Sequence, residues 1–167
     1  ASLMAVAWDF SGNEVWRRDL GSYESEHGLG ASPILYDQLL IVPNEQVGPS
    51  SLIALNAETG EVAWKTERLP GTTSYATPMV VSGSQSGEQL IYLSESNGVT
   101  SVEPFTGKLN WQSKSFPSRT VASPVESDGL IFVTSGGGGT GKYLVALQSD
   151  PTVSDETRTV FERKTTL

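Results

Sequence analysis

The sequence contains no cysteine and a single histidine, so disulfides and thiolate metal centres are excluded and imidazole chemistry falls to His27 alone. The missing cysteine does not discriminate between compartments, because exported and cytosolic chains can both do without it. Basic residues are scarce. Eleven Lys and Arg stand against 19 Asp and Glu, a net charge of −8 that argues against binding nucleic acid or an anionic membrane surface. No apolar run approaches the roughly eighteen residues of a membrane-spanning helix, and no window carries the period of a long amphipathic helix. No signal peptide is recognisable, and because the chain opens inside a repeat, an upstream segment of a longer parent is free to carry one.

What the sequence has instead is short apolar runs bounded by Gly, Pro, Ser and Asp, with 17 glycines and nine prolines, the pattern of strands and turns. Superimposed on it is a repeat. Asp9-Phe-Ser-Gly12-Asn-Glu-Val-Trp16, Asn56-Ala-Glu-Thr-Gly60-Glu-Val-Ala-Trp64 and Glu103-Pro-Phe-Thr-Gly107-Lys-Leu-Asn-Trp111 each place a tryptophan four residues after a glycine, and the tryptophans are 48 and 47 residues apart. Ala31-Ser32-Pro33, Ala76-Thr77-Pro78 and Ala122-Ser123-Pro124 recur in phase, 45 and 46 residues apart. Apolar stretches before the glycine turn, such as Leu52–Leu55, Val99–Val102 and Leu144–Leu147, are a third marker. A period of this size signals a solenoid or propeller.

Each unit reads as four short strands: about 31–35, 39–43, 51–55 and 62–67; about 76–82, 89–94, 99–103 and 109–114; about 121–126, 130–135, 142–148 and 158–163. Two strands, about 2–8 and 14–19, precede them. The expected fold is all-β, a β-propeller segment of four-stranded antiparallel blades. It forms one domain over 1–167, with a half blade at 1–19 and complete blades at 31–67, 76–114 and 121–163. Gly12, Gly60 and Gly107 supply the positive φ of a tight turn, and Trp16, Trp64 and Trp111 are expected to dock between neighbouring blades with the indole N–H on a carbonyl. The small residues lead into the innermost strand, where blades crowd the axis, and Pro33, Pro78 and Pro124 are expected to begin those strands. In the last copy a polar insertion, Ser149–Thr157, precedes Val160-Phe161-Glu-Arg163, so Phe161 takes the tryptophan position without the indole donor. Too few blades are present to close a ring. The chain is therefore expected to be an arc of a longer protein whose remaining blades are its first partners.

The stretch Ala54 to Trp64, with Ala31–Pro33 and Ala76–Pro78 ahead of their strands, resembles the pyrroloquinoline-quinone-type propeller repeat over nearly the whole chain. That family includes quinoprotein dehydrogenases, the lipoprotein of the outer-membrane β-barrel assembly machinery, and exported propellers without assigned activity. The stretch Leu20–Tyr36 resembles the last group as found in planctomycete-type bacteria. In the dehydrogenases the resemblance implies a vicinal disulfide, a calcium ion and an aspartate base. This chain has no cysteine, and no Asp can be placed as a base nor any acidic set assigned to calcium, so neither quinone nor calcium is expected here.

Candidate sites are few. Gly136-Gly-Gly-Gly-Thr-Gly141-Lys142-Tyr143 has the glycines and lysine of a phosphate loop, but puts Tyr where Ser or Thr should hold magnesium and runs into a strand. Asp9–Glu14 imitates a calcium loop but lacks its distal glutamate. No spacing implies a nucleophile triad. His27, beside Glu24 and Glu26, could take a metal or polar ligand. The loops Asn44-Glu45-Gln46 and Glu95-Ser96-Asn97, with Arg119, are expected to open on the same channel face and form a binding surface. The sequence therefore suggests a noncatalytic scaffold, periplasmic or extracellular, that contacts a protein or polysaccharide ligand. The alternatives are a quinoprotein dehydrogenase whose active site lies outside this segment, and an outer-membrane assembly factor.

Overall fold

The computed structural model describes residues 2–83, 87–137 and 141–165. Within them the chain forms strands and no helix. A two-stranded sheet pairs β1 (Ser2–Trp8) with β2 (Glu14–Ser22). Three four-stranded sheets follow. The second sheet holds β3 (Ile34–Tyr36), β4 (Leu39–Asn44), β5 (Ser50–Asn56) and β6 (Val62–Arg68). The third holds β7 (Met79–Gly83), β8 (Gly87–Ser94), β9 (Gly98–Val102) and β10 (Leu109–Gln112). The fourth holds β11 (Val125–Ser127), β12 (Leu130–Gly136), β13 (Lys142–Gln148) and β14 (Thr159–Thr165). Sequential strands pair antiparallel throughout, and no sheet closes on itself, as in a partial propeller. The innermost strands begin one residue after Pro33, Pro78 and Pro124 rather than on them. A residue without an N–H is better spent on the approach, leaving Ile34, Met79 and Val125 to start the ladder.

Cross-strand register aligns the sheets residue for residue. Ile34, Ile41, Ala54 and Trp64 form one row across the second sheet. Met79, Ile91, Ser101 and Trp111 form the matching row across the third. Val125, Phe132, Ala146 and Phe161 form it across the fourth. Because side chains alternate with period two, these rows lie on equivalent faces, which in the second and third sheets are turned toward the following sheet. A continuous apolar core runs from the second sheet to the fourth, and a smaller one, around Val42, Ile53 and Leu55, packs against Trp16 of the first.

The repeat's tryptophan and glycine meet across sheets, not within one. The Trp16 indole donates to the Ala57 carbonyl at 2.9 Å, and the Arg18 Nε donates to the Gly60 carbonyl at 2.7 Å. One repeat on, the Trp64 indole donates to the Pro104 carbonyl at 2.9 Å and the Thr66 hydroxyl to the Gly107 carbonyl at 2.6 Å. A Cβ on Gly60 would lie 2.5 Å from the Trp16 ring, and one on Gly107 would lie 2.4 Å from the Trp64 ring. Both glycines also hold positive φ, +70° and +67°. Asn56 opens its turn by accepting from the Glu58 and Thr59 amides, and Glu103 does the same for Phe105. Glycine is thus required twice over, by the turn and by the ring lying on it.

The third junction departs from the pattern. The fourth repeat has no glycine turn, and Trp111 instead donates to the Gln89 side-chain oxygen in its own sheet at 2.9 Å, with the Arg158 guanidinium 4.0 Å over its ring. Arg158 is buried and donates to the carbonyls of Gln148, Asp150 (2.8 Å) and Val153. At the outer ends the pattern is open. Nothing lies within 4 Å of a Cβ on Gly12, and Phe161 is 48% exposed.

Near the axis, successive repeats are stitched at equivalent positions. The Ser32 amide donates to the Thr77 hydroxyl at 3.4 Å, and the Thr77 amide to the Ser123 hydroxyl at 3.0 Å. Ala31 and Ala76 are buried there, whereas Ala122 is exposed.

Candidate functional site

The connections between second and third strands and those leading into the next sheet lie together on one face, because their backbones bond to one another. The Val47 amide donates to Glu24, Gly71 to Gln46, Phe116 to Glu95 and Gly136 to Arg119, at 2.8–3.3 Å. All seven residues expected on the binding face belong to this knitted set, but they divide into two groups.

Asn44, Glu45, Gln46 and Asn97 are buried. These side chains, expected on a binding surface, are instead spent on joining sheets. The Gln46 side chain accepts from the Glu24 amide at 2.7 Å and donates to the Ser22 carbonyl at 2.9 Å and to Asn44 at 2.8 Å. Glu45 forms a buried ion pair with Arg68, whose guanidinium also lies 5.2 Å from the Tyr92 ring centroid. Asn97 reaches back to Glu45 at 3.4 Å and bonds both the amide and the carbonyl of Leu69 at 3.0 Å. Each of these groups has left water, and only the pairing offsets the loss.

Burial pushes the Glu45 carboxyl above its ordinary value, against the opposing pull of Arg68, Ser94 and Asn97. A raised folded-state value means that the folded chain holds this proton more tightly than the unfolded one. Stability contributed by protonated Glu45 is therefore present below its ordinary value and is lost as pH rises through the raised one. The expected result is that wild type loses stability relative to Glu45→Gln as pH climbs, read by urea unfolding from about pH 4 to 8. A pH-independent difference would contradict the assignment.

His27 and Arg119 remain accessible and meet at Glu26, which the sequence marks only as a neighbour of His27. The Glu26 carboxylate lies 3.6 Å from His27 Nε2 and 3.9 Å from Arg119, joining the segment before the second sheet to the segment before the fourth. Arg119 also borders an open cleft of about 1310 Å³ together with Glu95, Thr72, Ser118, Lys142 and Tyr143. The accessible part of the face is thus His27, Glu95 and Arg119, with Glu26 added, mounted on a buried polar frame. Arg68 was not legible as a frame member, since it reads as an ordinary charged residue at a strand end.

The other motifs resolve into turns. The Asp9 carboxylate accepts from the Ser11 amide, the Asn13 amide and the Asn13 side chain at 2.8–2.9 Å, and these bonds hold it below the usual carboxylate range. Its oxygens are used by its own loop. The glycine-rich stretch leads into β13, a strand, and its residues 138–140 lie outside the described residues. Among the described residues no three His, Asp or Glu side chains converge to hold a metal ion. The buried acid Glu45 is already engaged by Arg68 and Asn97. This donor set does not fit calcium or the quinone that calcium would hold.

Comparison with known proteins agrees with the repeat. The family model described as outer membrane protein assembly factor BamB matches residues 4–163. A search of curated proteins by sequence finds no match. Among solved structures, BamB from Moraxella catarrhalis superimposes with a TM-score of 0.68 at 18% identity, covering 96% of this chain and 46% of that one. A quinohemoprotein alcohol dehydrogenase from Pseudomonas putida HK5 gives 0.60 at 17% identity, covering 97% of this chain and 22% of that one. A europium-containing methanol dehydrogenase gives 0.60 at 11% identity, covering 96% and 27%. The chain thus spans under half the length of these neighbours, and identities this low establish the fold they share. The family match covers every sheet described above, from β1 to β14, and on that basis the chain belongs to the family of the outer membrane protein assembly factor BamB.

Proposed function

We propose that this segment is a noncatalytic scaffold that binds a protein partner through its channel-side loops, outside the cytoplasm and in the service of outer-membrane protein assembly. The observation that carries this is the division of the polar face. Asn44, Glu45, Gln46 and Asn97 are locked in the frame, while Glu95 and Arg119 border one open cleft and Glu26, beside it, ties His27 to Arg119. Loops held rigid before contact lose less conformational entropy on binding, which favours recognition over chemistry. The family's assembly role supports the choice of partner.

The test is binding to purified components of an outer-membrane assembly machinery, followed by interferometry. Arg119→Glu reverses a charge at the cleft, loses only the 3.9 Å contact with Glu26 on an accessible surface, and is expected to weaken binding at least about tenfold, roughly 1.4 kcal/mol, with an unchanged urea midpoint. Lys65→Glu, on an outer strand, should leave binding unchanged. Absence of binding, or equal loss in both variants, would refute the proposal. Calcium-dependent dye reduction on addition of pyrroloquinoline quinone would favour the dehydrogenase instead.

A further inference from the structure

Of the chain's asparagines, only Asn97 is followed by glycine; Asn13, Asn44, Asn56 and Asn110 precede Glu, Glu, Ala and Trp. Asparagine is chemically labile, and most so before glycine, which has no Cβ to shield its amide nitrogen from the neighbouring carboxamide. The fold nevertheless requires both members of the pair. Gly98 holds φ +60°, and a Cβ there would lie 2.2 Å from the Lys114 carbonyl oxygen. Asn97 ties the segment after β6 to the third sheet. Its Oδ1 accepts from the Leu69 amide at 3.0 Å. Its Nδ2 lies 3.0 Å from the Leu69 carbonyl, 3.0 Å from Ser94 Oγ and 3.4 Å from Glu45 Oε2. The residue is 3% exposed. Held at both ends of its carboxamide and shut off from water, Asn97 is not free to swing its Cγ onto the Gly98 nitrogen while the junction is closed.

We infer that Asn97-Gly98 is a conditional modification site, protected while the second and third sheets are docked and deamidated when they part. In the opened chain the Gly98 amide nitrogen attacks Asn97 Cγ. The new C–N bond closes a cyclic imide, and Nδ2 takes up the Gly98 amide proton and leaves as ammonia. Water then adds to either imide carbonyl and breaks its bond to that nitrogen, giving aspartate by one route and isoaspartate by the other. Neither product rebuilds the junction. Aspartate sets an oxygen where Nδ2 faced the Leu69 carbonyl and the Glu45 carboxylate, adding a negative charge to a site that has left water. Isoaspartate lengthens the backbone by a methylene directly before Gly98, which packs against Lys114 with no room to shift. Each opening therefore risks permanent exit from the folded population, a chemical limit on the lifetime of a chain that does not stay folded.

The test is peptide mass spectrometry of the chain held at about pH 8 and 37 °C, in buffer and in about 8 M urea, reading a gain of about 1 Da at Asn97. Conversion is expected to run at least about a hundredfold slower in buffer, because it waits on opening of the junction. Gly98→Ala, compared in urea so that folding does not enter, should convert at least about tenfold more slowly than wild type. Wild-type chains withdrawn from urea at intervals and diluted should regain native tryptophan fluorescence only in the fraction still unconverted. Asn97→Asp should lower the urea midpoint or fail to fold. Equal rates in buffer and in urea would overturn the inference, since the fold would then give no protection. Equal rates for wild type and Gly98→Ala in urea, or converted chains that refold with the wild-type midpoint, would overturn it as well.

Discussion

Replacing Arg158 with methionine is expected to lower the unfolding free energy by about 2–4 kcal/mol. The guanidinium is buried, yet its partners are chiefly backbone carbonyls: Gln148, Asp150 and Val153, all in or beside the polar insertion of the last repeat. That insertion forms turns and no strand over residues 149–157, so its carbonyls have no ladder to join. Arg158 supplies the donors, and its flat face covers Trp111. Methionine keeps much of the volume and strands the half-buried Gln148 and Val153 carbonyls, each worth about 1–3 kcal/mol without a partner, while Asp150 keeps the Val153 amide. Lysine is expected to rescue little, because a single ammonium cannot reproduce the planar fork. Urea unfolding followed by tryptophan fluorescence measures it. A loss below about 1 kcal/mol would show that the loop satisfies itself.

The second large effect is expected at Gly107. Alanine there must adopt φ +67°, which costs about 1–2 kcal/mol for a residue with a Cβ. It must also place that Cβ 2.4 Å from the Trp64 ring and 2.6 Å from the Thr66 hydroxyl. Relieving the overlap moves a ring held by its own bond to Pro104, at about 1–3 kcal/mol more. The total is about 2–5 kcal/mol. Gly12→Ala is the internal control. Its φ of +85° exacts the same backbone strain, but no ring lies above it, so its cost should stay near the strain alone, about 1–2 kcal/mol. Equal losses at the two glycines would mean that the ring contact contributes nothing.

These two sites mark where the sequence was legible and where it was not. The glycine-to-tryptophan spacing identifies both partners of a junction, because the same residue types must recur wherever the same contact recurs. The strands follow from that repeat, and they lie within a few residues of the expected bounds. The third junction uses a different solution once, and a contact made once leaves no period to find. Arg158 could have been suspected only from the insertion before it, whose carbonyls needed donors. The polar loops were opaque for another reason. Asn44-Glu45-Gln46 has the same composition whether it meets water or the next sheet's backbone, and what buries it is the stacking of sheets distant in sequence. Arg68 is hidden likewise, at the end of a strand whose other charged residues, Lys65 and Glu67, are exposed. His27 and Arg119 were expected on one face, and Glu26 was visible only as a neighbour of His27; its link to Arg119 joins segments far apart in sequence, which no local pattern marks.

That an indole of one sheet rests on a glycine of the next is tested most directly by a double-mutant cycle on Trp64 and Gly107. In wild type, Gly107→Ala must overcome both strain and overlap; in a Trp64→Ala background the ring is gone and chiefly the strain remains. Urea unfolding of the four proteins should therefore give a coupling of about 1–3 kcal/mol, while the same cycle on Trp64 and Gly12 should be additive within about 0.5 kcal/mol. Additivity between Trp64 and Gly107 would contradict the account.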